Sequence, residues 1–277
     1  MIRSQMRFPN FKGKAVTLSY DDGVAQDKRL IQIMQKNGLK GTFNINSGLL
    51  PKESGWHMTA AEALELYTSS GMEVAVHGQY HLSLANVDSA VAANDVLLDR
   101  LALEKLFGCV VKGMAYANGS YNDEVVNILK MCGIEYARTV TSTEDFEIPA
   151  DWLCLNPTCH HNDSKLMDLV EAFLNVQPDP IRLQKYTPKL FYLWGHSYEF
   201  DGDNNWDVIE KFAERIGKRE DIWYATNGEI YAYVKAFDSL RWSADGKMVQ
   251  NPSGMDVCIF CDKKEYLVKS GATIKID

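Results

Sequence analysis

Along most of the chain, short apolar, β-branched runs alternate with stretches whose apolar positions recur three and four residues apart. These are the signatures of strand and amphipathic helix. The strand-like runs fall at residues 15–20, 42–45, 73–76, 113–117, 134–140, 153–157, 190–195 and 222–226. The helical stretches between them carry matching punctuation. Thr59-Ala60-Ala61-Glu62 has the spacing of a capping box, and Gly71 follows its last turn. Asn37-Gly38 closes the helix before Thr42, and Asn122-Asp123-Glu124 opens another ahead of Val125, Val126, Ile128 and Leu129. Such alternation predicts a mostly parallel sheet covered by helices, either closed into a barrel or open. The pattern changes near Phe237. From there short alternating runs at 248–249, 257–260, 266–269 and 272–276 are separated by Asp245-Gly246, Pro252-Ser253-Gly254 and Ser270-Gly271, turn signals between antiparallel strands. The expected division is a barrel over 1–236 and a small β appendage over 237–277.

Composition narrows the function classes. With 46% hydrophobic and 24% charged residues the chain can bury a large core, and its net charge of −8 argues against a nucleic-acid backbone as partner. A neutral or cationic substrate fits better. No apolar run reaches the length of a membrane span or a signal-peptide core, so the expected location is cytoplasmic. The six cysteines are scattered, and Cys258-Ile259-Phe260-Cys261 lies in a strand-like run with no second pair to complete a four-thiolate zinc site.

The chemistry-bearing residues sit at the ends of predicted strands. Asp21-Asp22-Gly23 follows the first run, so that of two adjacent carboxylates one can ligate a cation while its neighbour acts as a base. By itself this tripeptide also reads as a turn. His77-Gly78-Gln79-Tyr80-His81 follows the third run and offers two imidazoles four apart, which read equally well as polar loop residues. Together, two histidines and one carboxylate would leave open positions on a cation for water and substrate.

The order of these motifs resembles the polysaccharide deacetylase family, also called the NodB-homology or carbohydrate esterase family 4 group. Leu18-Ser19-Tyr20-Asp21-Asp22-Gly23 is similar to its first motif, His77–His81 to its second, Met114–Asn122 to its third and Leu193-Trp194-Gly195-His196 to its last, over about residues 13–232. The resemblance implies an α/β fold, a deformed (β/α)7 TIM-like barrel. It also implies one divalent ion, zinc with cobalt or nickel as alternatives, on Asp22, His77 and His81. Asp21 would be the base that takes a proton from a metal-bound water, His196 the acid that protonates the leaving group, and the backbone N–H of Asn118 an oxyanion donor. Tyr116 and Trp194 neighbour motif residues and are expected to line the substrate groove, with Ser197, Tyr198, Glu199, Asp201, Asp203 and Trp206 as further candidates.

Two departures stand out. Where the family's third motif begins Arg-Pro-Pro this chain has Ala115-Tyr116-Ala117, and Asp151-Trp152 only loosely echoes the fourth motif. An arginine inside an apolar strand is unusual, so Arg138 in residues 134–140 is expected to replace the missing arginine beside Asp21, its alternative partners being Glu135 and Glu144. The implied function is removal of acetyl groups from an N-acetylated carbohydrate. An O-acetyl esterase, an amidohydrolase of small amides and a carbohydrate-binding protein on a degenerate barrel are the alternatives. Adjacent His160 and His161 read as either surface groups or additions to the metal face.

Overall fold

The computed structural model describes residues 4–51, 53, 55–177 and 187–276. Strands run in chain order β1 (Ser4–Arg7), β2 (Lys14–Asp21), β3 (Gly41–Ile45), β4 (Glu73–Val76), β5 (Gly113–Ala115), β6 (Tyr136–Arg138), β7 (Cys159–His160), β8 (Lys189–Gly195), β9 (Ile222–Tyr224), β10 (Arg241–Trp242), β11 (Met248–Gln250), β12 (Val257–Cys261), β13 (Lys264–Val268) and β14 (Thr273–Lys275). The helices are α1 (Asp27–Lys36), α2 (Ala60–Ser70), α3 (Ser89–Phe107), α4 (Asp123–Met131), α5 (Leu166–Asn175), α6 (Glu199–Gly202), α7 (Trp206–Ile216) and α8 (Asn227–Asp238). Both ends of α2 follow their sequence signals: Thr59 and Glu62 form the capping box, and Gly71 adopts the left-handed conformation that ends the helix.

Parallel strands pair in the order β6-β5-β4-β3-β2-β8-β7, with β9 beside β2. The edge of β2 is shared, since Lys14–Val16 pair with β9 while Leu18–Asp21 pair with β3. The ring closes through residues 152–158. Leu155 bridges to Arg138 on one side, and Thr158 N–H donates to the Tyr192 carbonyl on the other. The architecture is thus a deformed (β/α)7 barrel. The sixth strand differs from expectation: residues 153–157 contribute a single bridge, and the assigned strand is the following β7. One residue cannot pair simultaneously along two diverging neighbours, so this stretch stitches the barrel by isolated bonds.

The period-two pattern of the strands divides two environments. Val16, Leu18 and Tyr20 of β2, with Phe43, Val76 and Leu193, pack outward under the helices. The inward positions are polar. At the amino-terminal mouth, Thr17 Oγ1 donates to Asn227 Oδ1 at 2.9 Å, Thr42 Oγ1 donates to Glu73 Oε2 at 2.6 Å, and Asn227 Nδ2 donates to the Tyr192 hydroxyl at 2.7 Å. The first turn of α8 therefore plugs this mouth with satisfied hydrogen bonds, leaving the opposite mouth for a site. One layer up, buried Ser19, Asn44 and Arg138 point into the same interior.

The C-terminal strands form two antiparallel sheets, β10-β11-β14 and β1-β12-β13. The second recruits the chain's first strand, Ser4–Arg7 lying opposite Cys261–Cys258, so the β appendage is built from both ends of the chain. It packs on α8, where the Tyr233 hydroxyl donates to the Arg7 carbonyl and accepts from the Cys258 N–H. Cys258 and Cys261 are buried free thiols of β12. Among the described residues no helix is long and apolar enough to cross a membrane.

Candidate active site

The carboxyl ends of β2, β3, β4, β6 and β8 gather the motif residues at the open mouth. Asp21 ends β2 with its side chain inward and is almost fully buried. Its Oδ1 accepts from Asn44 Nδ2 at 2.8 Å, and its Oδ2 accepts from Arg138 Nη2. Burial alone would raise this carboxyl, but the Arg138 charge, with the adjoining imidazoles of His77 and His196, outweighs it and holds the pKa down at about 2. The group is an anion whose geometry is fixed on both oxygens.

Arg138 reaches Asp21 for a reason visible in the register. Ala115, where the resembled family carries its arginine, is the partner of Arg138 across β5 and β6. Register partners on adjacent strands share a face, so a long side chain from either can reach the same point. The guanidinium is not a two-pronged clamp on Asp21. Its Nε donates to Ser19 Oγ at 3.2 Å and Nη1 to the Thr139 carbonyl at 3.1 Å, while the Trp194 ring lies 4.3 Å beneath it. Neither Glu135 nor Glu144 is its partner; they pair with Lys112 and Lys165.

Asp22 turns away from its neighbour because its φ is +81°, a left-handed conformation costly for a residue with a Cβ. Its Oδ1 lies 3.5 Å from His77 Nε2 and 3.6 Å from His81 Nε2. Ligands at about 2.0–2.2 Å from one tetrahedral ion lie roughly 3.3–3.6 Å apart, so each imidazole stands at ligand spacing from Asp22, and all three donor atoms lie within 4.8 Å of one another. The chemistry of the donors agrees. His77 Nδ1 sits 2.9 Å from the Ala115 carbonyl, which only accepts, so the proton is on Nδ1 and the lone pair is on Nε2. That Nε2 is buried without a hydrogen-bond partner.

Buried groups on neighbouring elements hold this loop. Asp99 of α3 accepts from the backbone N–H of His77 at 3.0 Å and of Ser47 at 2.7 Å, and burial pushes its pKa up to about 7. Asn46 Nδ2 donates to the carbonyls of His77 and Gly78. At Gly78 (φ +81°) a Cβ would fall 2.4 Å from Asp95 Oδ2, so only glycine lets the loop lie against α3.

His196 follows β8, its Nε2 3.8 Å from Asp21 Oδ2 and its Nδ1 3.2 Å from Glu199 Oε1. Burial by itself would depress its pKa, but the Glu199 hydrogen bond and the charge of Asp21 leave it raised. The next residue is pinned from below, since Ser197 Oγ donates to Asp27 at 2.6 Å and Tyr67 donates to the other oxygen of the same carboxyl. His160, His196 and Glu199 are a second cluster with donor atoms close enough for a cation. Its hydrogen bonding argues otherwise. His160 Nδ1 accepts the Asn162 N–H at 3.1 Å, which leaves the ring proton on Nε2, 3.2 Å from Glu199 Oε2. His161 Nε2 is 3.0 Å from the same oxygen, and burial lowers this imidazole to about 4. Burial would raise Glu199, yet the three imidazoles hold it well below the usual carboxylate range. Glu199 Oε1 bonds His196 Nδ1 and so aims His196 Nε2 toward Asp21, while its Oε2 lies within ion-pair distance of both His160 and His161.

Residues 9–137 match the family model described as polysaccharide deacetylase. The fold matches a protein described as a polysaccharide deacetylase from Mycobacterium smegmatis with a TM-score of 0.60 and 18% identity, over 84% of this chain and 94% of that one. Residues 9–137 are thus similar to the polysaccharide deacetylase family, and the barrel shares the fold of that solved structure. The Xyl-CE4 domain of a multidomain xylanase from the hindgut metagenome of Trinervitermes trinervoides aligns at 15% identity with a TM-score of 0.52, covering 81% of this chain and 92% of that domain. The Streptococcus pyogenes deacetylase PplD, solved with acetate, is 23% identical over 50% of this chain, with a TM-score of 0.46, and this chain spans 61% of its length. A search of curated protein sequences gave no significant match.

Within this polysaccharide deacetylase fold the remaining expected site residues divide. Asn118 (φ +56°) lies in an exposed turn where the N–H groups of Gly119 and Ser120 are engaged by Tyr116 and Ala117, and its side chain donates to Ser83. Trp194 is buried under Arg138 and meets His160 and His196 edge-on, which makes it a floor for these groups. Tyr116 is a correction: it is 1% exposed, donates to the Leu153 carbonyl at 2.7 Å and stacks on Tyr121, so its ring faces the core and not a substrate. Trp206 is likewise buried, its Nε1 donating to Asp201. Trp152 packs on Tyr231 in the lower core. Glu199 and Asn44, which organise acid and base, were not singled out for these roles by sequence alone. The polar inward positions of β2 and β3, alternating with apolar ones, are the available signal for Asn44; Glu199, a groove candidate three residues past His196, instead turns its carboxylate to that imidazole.

Proposed function

We propose that the protein removes acetyl groups from an N-acetylated carbohydrate, with a divalent cation on Asp22, His77 and His81, Asp21 as base and His196 as acid. The observation that carries this reading is the buried, ionised Asp21 lying between the lone pair of His77 and the Nε2 of His196. Two imidazoles and a carboxylate suit zinc, and equally cobalt or nickel. Such a cation supplies Lewis-acid activation of water and of the acetyl carbonyl.

The protein's own groups divide the proton work. Asp21 Oδ2 accepts the proton of the attacking water, while Arg138 and Asn44 keep the carboxylate aimed and charged. The backbone N–H of Asn118 is the donor proposed for the developing oxyanion. His196 Nε2–H delivers a proton to the departing nitrogen. An amine leaves poorly unless protonated, and the raised pKa keeps His196 in its protonated form to higher pH.

Release of acetate from acetylated sugars, measured before and after chelation and after restoring zinc, tests the reading. Activity should vanish with the metal and return with it, while calorimetry should find one zinc per chain in the wild type and none in His77→Ala. Acetate release that persists in the fully chelated protein would sink the metal-dependent mechanism. Glu199→Gln tests the acid. Without the carboxylate the pKa of His196 falls, so its protonated form is lost at lower pH. The alkaline limb of the kcat profile should move down, with zinc binding unchanged. An unshifted limb would separate Glu199 from His196.

A further inference from the structure

Helix α3 has its polarity reversed for an outer helix of a barrel. Its inward face carries carboxylates: Asp95 accepts the Tyr80 N–H at 3.0 Å, and Asp99 accepts those of His77 and Ser47. Arg100 and Glu104 pair at the flank at 3.0 Å, and Arg100 also donates to the Cys132 carbonyl at the end of α4. Helices α2 and α4 pack beside α3 and leave its outward positions uncovered. Those positions, where an outer helix ordinarily places charge, are Ala90, Val91, Asn94, Leu97, Leu98 and Leu101. Spacings of three and four put them on one stripe, and Val91, Leu97, Leu98 and Leu101 are each between 38% and 53% exposed. A single exposed leucine is ordinary, but a continuous apolar stripe marks a contact surface. Charge stands only at its ends. Asp88 precedes the first turn and Lys105 lies in the last; both are exposed, and neither has an ion-pair partner among the described residues.

We propose that α3 is the contact surface for a second copy of this chain, the two helices packing antiparallel about a two-fold axis. Self-pairing of this kind needs a pattern that maps onto itself when reversed. The stripe from Ala90 to Leu101 is centred between Asp95 and Val96, and the pair Asp88 and Lys105 is centred one residue along, between Val96 and Leu97. One axis therefore sets leucine against leucine and brings each Lys105 beside Asp88 of the other copy. It also lays the positive amino-terminal end of each helix dipole along the negative end of its mate. A parallel pairing would put lysine against lysine. One helix face from each copy makes an interface at the low end of specific ones, so a dissociation constant on the order of 10 µM is expected.

Sedimentation of the intact chain over about 1–300 µM, a range that brackets that constant, tests the contact. The wild type should pass from monomer to dimer. Leu97→Glu/Leu101→Glu should weaken association by about a hundredfold or more, because each dimer would bury four uncompensated carboxylates. Both positions are exposed in the single chain, so the unfolding temperature at low concentration should hold. Charge reversal reads the direction of packing: Asp88→Lys and Lys105→Asp should each weaken the dimer, and the two together should restore it. Cross-linking locates the axis, since only residues beside a two-fold meet their own copies. On a Cys109→Ser background, Leu97→Cys should form a disulfide with itself on mild oxidation, and Ala90→Cys should not. A wild type that stays monomeric throughout the range assigns the stripe to a different chain and overturns the proposal. A dimer indifferent to the glutamates, a double reversal no stronger than the single ones, or self-cross-linking at position 90 in place of 97 overturns it equally.

Discussion

Asp21→Asn is expected to lower turnover by about a hundred- to ten-thousandfold, the range for loss of a positioned general base, with zinc affinity nearly unchanged. The amide is isosteric and keeps an oxygen for the Asn44 or Arg138 donors, but it cannot take a proton. Asp22, His77 and His81 are not altered, so metal titration of the variant should still show one site. Loss of zinc with activity would make Asp21 a ligand and remove it from the role of base.

The same substitution has a signature in acid. The folded-state pKa of Asp21, about 2, lies below its ordinary value of 3.8, so the ionised form is favoured by folding. That contribution is present above about pH 4 and is lost as pH falls through the folded value; the difference corresponds to about 2 kcal/mol. Asp27 and Asp99 shift the other way, burial raising each to about 7, and they are common to both proteins. The stability difference between metal-free wild type and Asp21→Asn, followed by denaturant unfolding, should therefore shrink between pH 4 and pH 2. A difference flat across that window would show that Arg138 does not hold the carboxylate ionised.

Much of the barrel was legible because its strands are bounded by turn residues and its helices by caps, both local signals. What was not legible is pairing at a distance. Nothing near Ser4–Arg7 says that it lies against Val257–Cys261, and nothing in residues 153–157 says that they bond two different neighbours by single bridges. The site divides along the same line. Asp21, Asp22, His77, His81 and His196 sit at or just past strand ends where order along the chain reveals them, whereas the grip on His196 comes from Glu199, which meets His160 at the end of β7 and His161 only in the folded chain. Tyr116 misled because sequence places it beside a motif without saying which way it faces, and the strand's alternation turns it outward, under the helices, to Leu153. The interior column of Thr17, Ser19, Thr42 and Asn44 inverts the usual expectation of an apolar barrel core. Its alternation with Val16, Leu18, Tyr20 and Phe43 was present in the sequence, and Arg138 belongs to the same inward set.

Arg138→Met is expected to have the largest combined effect, because it strands Asp21 in the barrel without its counter-charge. Removing one member of a buried ion pair costs about 3–5 kcal/mol, which in a chain of this size lowers Tm by on the order of 10 °C. The unpaired carboxylate should also titrate at higher pH, moving the acidic limb of kcat/KM upward as its ionised fraction falls. Loss of the guanidinium's packing over Trp194 would lower Tm without moving that limb, so the pH profile separates the two causes. A second comparison uses the register. Ala115 lies directly across from Arg138, and its side chain shares the inward face. In Ala115→Arg/Arg138→Ala the guanidinium starts from the neighbouring strand and enters the space vacated by the original side chain. The swap should recover much of the lost activity and return the acidic limb toward its wild-type position, while Arg138→Ala alone should not. If the swapped protein folds, binds zinc and stays as inactive as Arg138→Ala, then a charge beside Asp21 is not sufficient, and the bonds that Arg138 makes to Ser19 and to the Thr139 carbonyl are part of what positions the base.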